Sequence, residues 1–109
     1  MYPVIIHQAG PLPIKTTVKW PSTDVVTMAV SGSAWAQSPN TTVAVNVSVG
    51  DQMIGTLQMY ANQSGVHLTL PTAYLASLNN PGQVTVTLAA ANGTTLTDGN
   101  DMFTAVLLY

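Results

Sequence analysis

The chain has 109 residues and no cysteine, and its charged residues are two lysines and four aspartates, which give a net charge of −2. Charged residues make up 6% of the chain, against about 25% in an ordinary soluble domain. Nucleic acid and anionic membrane surfaces are bound by clustered cations, so this composition excludes both as partners. The missing cysteines exclude disulfides and thiolate metal sites.

The chain begins with a proline-rich segment, residues 1–24, which holds both lysines. Proline cannot donate to a central β-ladder, so the segment is predicted to be an extended N-terminal arm or an edge strand. No signal peptide is predicted, because the start lacks a cationic region and its apolar run is short. An arm that grips a neighbouring subunit would use these residues: Tyr2, Pro3, Val4, Ile5, Ile6, Pro11 and Pro13.

Residues 25–109 are predicted to form an all-β domain, an antiparallel β-sandwich or jelly roll. Residues 41–49 alternate with period two, which places valines inward and the Thr, Ala, Asn and Ser side chains outward. Gly50 and Asp51 suit a two-residue type II′ hairpin turn. The predicted strands are 25–34, 41–49, 52–60, 65–70, 83–89 and 102–109. Residues 71–78 are left open to a helical turn.

Two aspartates and an asparagine stand close together before the last strand, at Asp98, Asn100 and Asp101. Such hard oxygen ligands suit Ca²⁺, although the spacing does not match an EF-hand loop. The favoured interpretation is an Asx turn, in which these side chains bond nearby backbone amides. Catalysis by the two carboxylates is disfavoured, because the sequence supplies no group to raise the pKa of one of them.

The two histidines, His7 and His67, are too few for a zinc site without help from scattered aspartates. No acidic residue stands near either histidine in the sequence to orient it for catalysis. We therefore expect no enzyme activity and no cofactor. Trp20 and Trp35 lie at segment ends, where an indole commonly packs half-buried, and either one would also serve as a platform for a sugar ring.

Several short motifs resemble those of small bacterial and phage-encoded β-sandwich proteins. They are Val30-Ser31-Gly32-Ser33-Ala34-Trp35, the hairpin from Asp51 to Gly55, His67, and Leu96-Thr97-Asp98-Gly99-Asn100-Asp101-Met102-Phe103. This resemblance covers residues 28–106 and implies a sandwich fold without an established activity. A charge-poor sandwich with an extended arm is also similar in character to bacteriophage virion decoration and tail proteins.

These observations favour a non-catalytic virion component, made in the host cytoplasm, that forms a homo-oligomer and docks on a larger protein lattice. Depletion of charge is typical of buried protein interfaces, which supports assembly. The alternative is a lectin-like carbohydrate-binding module, because a neutral surface rich in amides and hydroxyls also suits a glycan. A surface adhesion domain exported by a non-classical route is a third hypothesis.

Overall fold

The protein is described here from a computed structural model that covers residues 3–21, 25–78 and 82–109. Within these ranges, ten strands form in chain order: β1 (Val4–Ala9), β2 (Ile14–Trp20), β3 (Val25–Ser31), β4 (Ser33–Ala34), β5 (Thr41–Val49), β6 (Gln52–Ala61), β7 (Leu68–Thr69), β8 (Ala73–Leu78), β9 (Gly82–Ala90) and β10 (Met102–Leu108).

The strands build two four-stranded sheets and one small sheet, and every pairing is antiparallel. The strand orders are β1-β10-β3-β8 in one large sheet and β2-β9-β5-β6 in the other, with β4 and β7 as the small third sheet. The predicted antiparallel β-sandwich is therefore confirmed. The described residues contain no helix long and apolar enough to cross a membrane.

The core lies between the two large sheets, and β5 shows how the sequence pattern builds it. Val43, Val45, Val47 and Val49 are all at most 3% exposed, as the alternation predicts. Gly50 has a φ of 60°, as a type II′ turn requires at its first position. Ala44, which we expected to face solvent, is 4% exposed. Its backbone N–H donates to Thr95 Oγ1 at 2.8 Å, because the loop after β9 lies over this part of the strand.

The described part of the proline-rich segment, residues 3–21, lies within the sandwich and does not extend away from it. β1 pairs with β10 and β2 pairs with β9, so the described part of the segment supplies one edge strand to each sheet. Pro11 and Pro13 stand in the turn that joins the two strands, where their missing N–H groups cost no ladder hydrogen bond. The extended arm is corrected accordingly, and the edge-strand alternative describes residues 4–20.

Three further predicted elements differ from the structure. The strand predicted at 65–70 is shortened to the two residues of β7. Residues 71–78, left open to a helical turn, contain β8, which pairs with β3. The predicted strand at 25–34 is divided into β3 and β4 at Gly32, where the chain leaves the large sheet and pairs with β7. A side chain at Gly32 would collide with the ring of Phe103, so the chain turns where only glycine fits against that ring.

The antiparallel pairings bring one set of loops to the same end of the sandwich. In one large sheet, the end of β3 lies beside the starts of β10 and β8, and the β1–β2 turn lies at the same end. In the other large sheet, the end of β9 lies near the start of β5. We call this end the rim, and it consists of residues 10–13, 32–40, 62–72 and 91–101. Backbone hydrogen bonds hold the rim together: Trp35 and Leu96 exchange two, and Gly65 N donates to Ala36 O.

Candidate functional site

The rim is organised around Asp101, whose side chain is completely buried. Its Oδ1 accepts hydrogen bonds from Ser33 Oγ at 2.6 Å and from His67 Nδ1 at 2.8 Å. Its Oδ2 accepts from the backbone N–H of Asp98 at 2.9 Å. A buried carboxylate is costly unless its oxygens are bonded, and these three donors satisfy that requirement. Asp101 thus joins β4, the segment before β7 and the loop before β10.

His67 occupies the exposed side of this arrangement, with about a third of its side chain open to solvent. Its Nδ1 is engaged by Asp101, while Nε2 lies 3.8 Å from Asp98 Oδ2. The imidazole ring also packs against the indole of Trp35, with ring centroids 5.7 Å apart and planes inclined by 36°. The sequence shows no acidic residue beside His67, so these contacts were not predicted; its partner Asp101 lies 34 residues away along the chain.

The pKa of His67 is raised above its ordinary value of 6.5. The largest cause is the hydrogen bond to Asp101, with further help from the charges of Asp101 and Asp98, and partial burial opposes the shift. A group whose pKa is higher in the folded state stabilises the fold fully below its unfolded pKa and loses that contribution as pH rises through the folded pKa.

We therefore expect the free energy of unfolding to fall as pH rises above the ordinary histidine pKa of 6.5 and through the raised pKa of folded His67. Denaturant unfolding in a chelating buffer measures the slope. A His67→Gln variant should lose this slope, whereas His7→Gln, which alters the histidine beside Thr104 on β1, should retain it. A slope that survives in His67→Gln would show that another group causes it.

The predicted Asx turn forms before β10. Asp98 Oδ1 accepts from the backbone N–H of Asn100 at 2.8 Å, and Asp101 N donates to Asp98 O at 3.0 Å. Most carboxylate oxygens of this loop therefore accept hydrogen bonds from the protein itself. A calcium site at Asp98, Asn100 and Asp101, the alternative that the sequence disfavours, stays a hypothesis.

A small cleft opens on the rim, beside the backbone pair of Trp35 and Leu96. Its volume is about 180 Å³, and its lining consists of Gln37, Ser38, Thr41, Gly93, Thr94 and Leu96. Thr41 Oγ1 donates to Thr94 Oγ1 at 3.3 Å across the cleft. Asn92 fixes the loop that carries Gly93 and Thr94, because its Oδ1 accepts from the N–H and hydroxyl of Thr95. The cleft is thus neutral, with hydroxyl and amide groups beside one apolar side chain.

An exposed aromatic ring lies close to this cleft. Tyr60, near the end of β6, is 59% exposed, and its hydroxyl donates to Asn40 Oδ1 at 3.3 Å. Asn40 immediately precedes Thr41 of the cleft lining and has a φ of 60°. The sequence did not identify Tyr60 as a candidate binding residue. Its place inside an alternating strand gave no sign that its ring projects from the sheet beside the rim.

The two tryptophans predicted as sugar platforms are placed differently from one another. Trp20 is 2% exposed, so its ring belongs to the core and offers no face to a ligand. Trp35 is half-buried, and one side of its ring is taken by His67. The indole N–H groups of both are buried without a hydrogen-bond partner. Only Trp35 lies at the rim, where its backbone pairs with that of the cleft residue Leu96.

The residues predicted to mediate assembly are split between surface and core. Val4 is 59% exposed and Ile6 is 2% exposed, while Ile5 is half-buried against the core. Pro3, Pro11 and Pro13 keep some solvent exposure, and Tyr2 lies outside the described residues. Ile6 is therefore a core residue, because the alternation of β1 turns its side chain toward the sandwich interior. Homo-oligomerisation and docking on a lattice stay predictions.

Comparison with solved structures finds chains of similar fold. One similar structure is described as the EclA C-terminal domain, a sugar-binding protein, with a TM-score of 0.53 and 14% identity over 94% of this chain and 70% of that one. Another is the CBM36-1 domain of a multidomain xylanase from the hindgut metagenome of Trinervitermes trinervoides, with a TM-score of 0.47 and 12% identity over 98% and 94%. At these identities the likeness concerns the fold. No protein-family model and no curated protein sequence matches the chain.

Proposed function

We propose that this chain is a non-catalytic carbohydrate-binding module and that the rim cleft receives a neutral sugar. The observation that carries the proposal is the chemistry of the cleft: four hydroxyl or amide side chains, a glycine and Leu96. Sugars present hydroxyl groups around the ring edge and apolar C–H groups on its faces. The hydroxyls would pair with Gln37, Ser38 and Thr94, while the apolar groups would contact Leu96.

The lining also selects against other ligands and against catalysis. None of the six described lining residues is ionisable, so the cleft offers no charge to a phosphate or a carboxylate. Acid–base cleavage of a glycosidic bond requires a pair of carboxyl groups at the bond, and the cleft lining contains neither. At about 180 Å³ it is smaller than the roughly 300–1,000 Å³ of pockets that enclose drug-sized ligands. A single sugar ring suits this volume.

Tyr60 would extend the site beyond the cleft. Its exposed ring is held by Asn40, which fixes the phenol without covering its faces. Aromatic rings gain about 0.5–1.5 kcal/mol from specific face and edge contacts, in addition to the area they bury. A sugar chain that leaves the cleft toward β6 would contact this ring. The sugar-binding description of the EclA domain, whose fold is similar, gives additional support.

The proposal is tested first on a glycan array and then by tryptophan-fluorescence titration with the glycan that binds. Tyr60→Ala should weaken binding by about 1 kcal/mol, or about fivefold, because it removes one stacking surface. Ser38→Ala should weaken it by a similar amount, because it removes one hydrogen bond from the cleft. The matched control is Tyr74→Ala, which removes an even more exposed tyrosine from β8 in the other sheet.

Two results would contradict the proposal. An array without any saturable signal would remove carbohydrate binding as the function. A glycan that binds with equal affinity to Tyr60→Ala, Ser38→Ala and the parent protein would move the site away from the cleft. The virion hypothesis would regain priority in the first of these cases.

A further inference from the structure

We infer that His67 Nε2 and Asp98 Oδ2 together bind a divalent transition-metal ion of the Zn²⁺ type at the rim. This inference is independent of sugar binding in the cleft. It differs from the calcium site considered from sequence, because an imidazole nitrogen replaces the side chain of Asn100 and buried Asp101 is not a ligand.

The imidazole ring of His67 is oriented so that Nε2 can bind a metal ion. Asp101 Oδ1, 2.8 Å from Nδ1, accepts a hydrogen bond from the protonated Nδ1 of the neutral ring, which leaves the lone pair on Nε2. A carboxylate that accepts from the far nitrogen of a metal-binding histidine fixes the ring and increases its basicity. Asp101 is suited to this role because it is completely buried and is held by Ser33 and by the backbone of Asp98.

The distance between His67 Nε2 and Asp98 Oδ2 suits an ion bound between them. Nε2 and Asp98 Oδ2 are 3.8 Å apart, which is too long for a direct hydrogen bond. A tetrahedral ion about 2.1 Å from each atom holds its two donor atoms about 3.4 Å apart. The two side chains therefore need to approach each other by only a few tenths of an ångström, which a small side-chain rotation supplies without movement of the backbone. Both side chains are more than a third exposed, so water completes the coordination.

The donor atoms of the site favour a zinc-type ion over calcium. The donor set contains one imidazole nitrogen and one carboxylate oxygen. Imidazole suits zinc, copper and nickel, whereas calcium takes six to eight oxygen ligands. The remaining carboxylate oxygens of the loop are committed, since Asp98 Oδ1 accepts from Asn100 N and both Asp101 oxygens accept hydrogen bonds. The loop thus offers calcium too few free carboxylate oxygens.

The test is a titration of the untagged full chain with ZnCl₂ and, separately, with CaCl₂, followed by calorimetry and by NMR of the imidazole groups. We expect one Zn²⁺ per chain, with the His67 imidazole signals shifted and the His7 signals unchanged. His67→Gln should lose zinc binding, and Asp98→Asn should weaken it at least tenfold, about the scale of a lost metal partner. His7→Gln is the matched control and should bind zinc like the parent.

Three outcomes would overturn the inference. The first is the absence of saturable zinc binding at millimolar concentration, which would leave His67 and Asp98 as an ion pair only. The second is undiminished zinc affinity in His67→Gln, with the fold checked by circular dichroism. The third is tighter binding of calcium than of zinc, which would favour an all-oxygen site at Asp98, Asn100 and Asp101. Sugar binding by the array is read separately, so its failure leaves this result intact.

Discussion

A Val45→Asp variant is expected to be unfolded or nearly so. Val45 lies in the middle of β5, is 1% exposed, and stands opposite Leu57 on one side and Ala90 on the other. A carboxylate at this position would be buried among apolar side chains without a cation or donor. The expected cost is at least about 4 kcal/mol, out of a total stability of about 5–15 kcal/mol for a domain.

The matched control for this variant is Asn46→Asp, one residue along the same strand and on the opposite face. Asn46 Oδ1 accepts a hydrogen bond from Thr56 Oγ1 at 2.8 Å, and an aspartate keeps that acceptor. Adding a charge there should change the free energy of unfolding by less than about 0.5 kcal/mol. Denaturant midpoints decide the comparison. A Val45→Asp protein with the parent midpoint would show that this face of β5 does not form the core.

Replacement of Asp101 by alanine is expected to cost about 2–4 kcal/mol, because it strands buried donors. The Ser33 hydroxyl and the Asp98 N–H both lose their acceptor, and His67 loses the partner that holds its ring. The same variant should lower the pKa of His67 toward its ordinary value, since the hydrogen bond to Asp101 is the largest cause of the rise. Thermal unfolding and a titration of His67 by NMR measure the two effects.

Asp98→Asn serves as the control, because it changes a carboxylate in the same loop that is 44% exposed. An asparagine retains the oxygen that accepts from Asn100 N, so the Asx turn should persist. We expect a loss of less than about 1 kcal/mol. If Asp101→Ala were no more destabilising than Asp98→Asn, the buried carboxylate would not organise the rim.

The parts of the fold that the sequence predicted are those with a strong local signal. The alternation of residues 41–49 and the Gly50-Asp51 turn specified β5, its inward face and its return strand. A one-residue slip would have exposed all four valines, so this register was heavily constrained. The divided strand at Gly32 was missed, because its cause is the ring of Phe103, a residue distant in sequence. β8 was missed because its pairing with β3 overrides an ambiguous local pattern.

Individual residues of the candidate site were predicted from the sequence, but their contacts with one another were not. Asp98, Asn100 and Asp101 were identified as a turn, and the turn forms. No partner was predicted for His67, although Asp101 and Trp35 both contact it. These contacts depend on how the antiparallel strands bring separate loops to the rim, which no local pattern shows. Trp20 and Trp35 were equivalent in sequence, and only the packing distinguishes the core residue from the rim residue.

The most direct test of carbohydrate binding in the rim cleft is a chemical-shift map of the ¹⁵N-labelled protein, titrated with the glycan that gives the strongest array signal. The proposal predicts saturable shifts in the backbone amides of Ser38, Thr41, Gly93 and Thr94, with smaller shifts at Tyr60. Amides on the outer face of the β1-β10-β3-β8 sheet should not move. Shifts centred on that sheet, or no shifts at saturating glycan, would contradict the proposal.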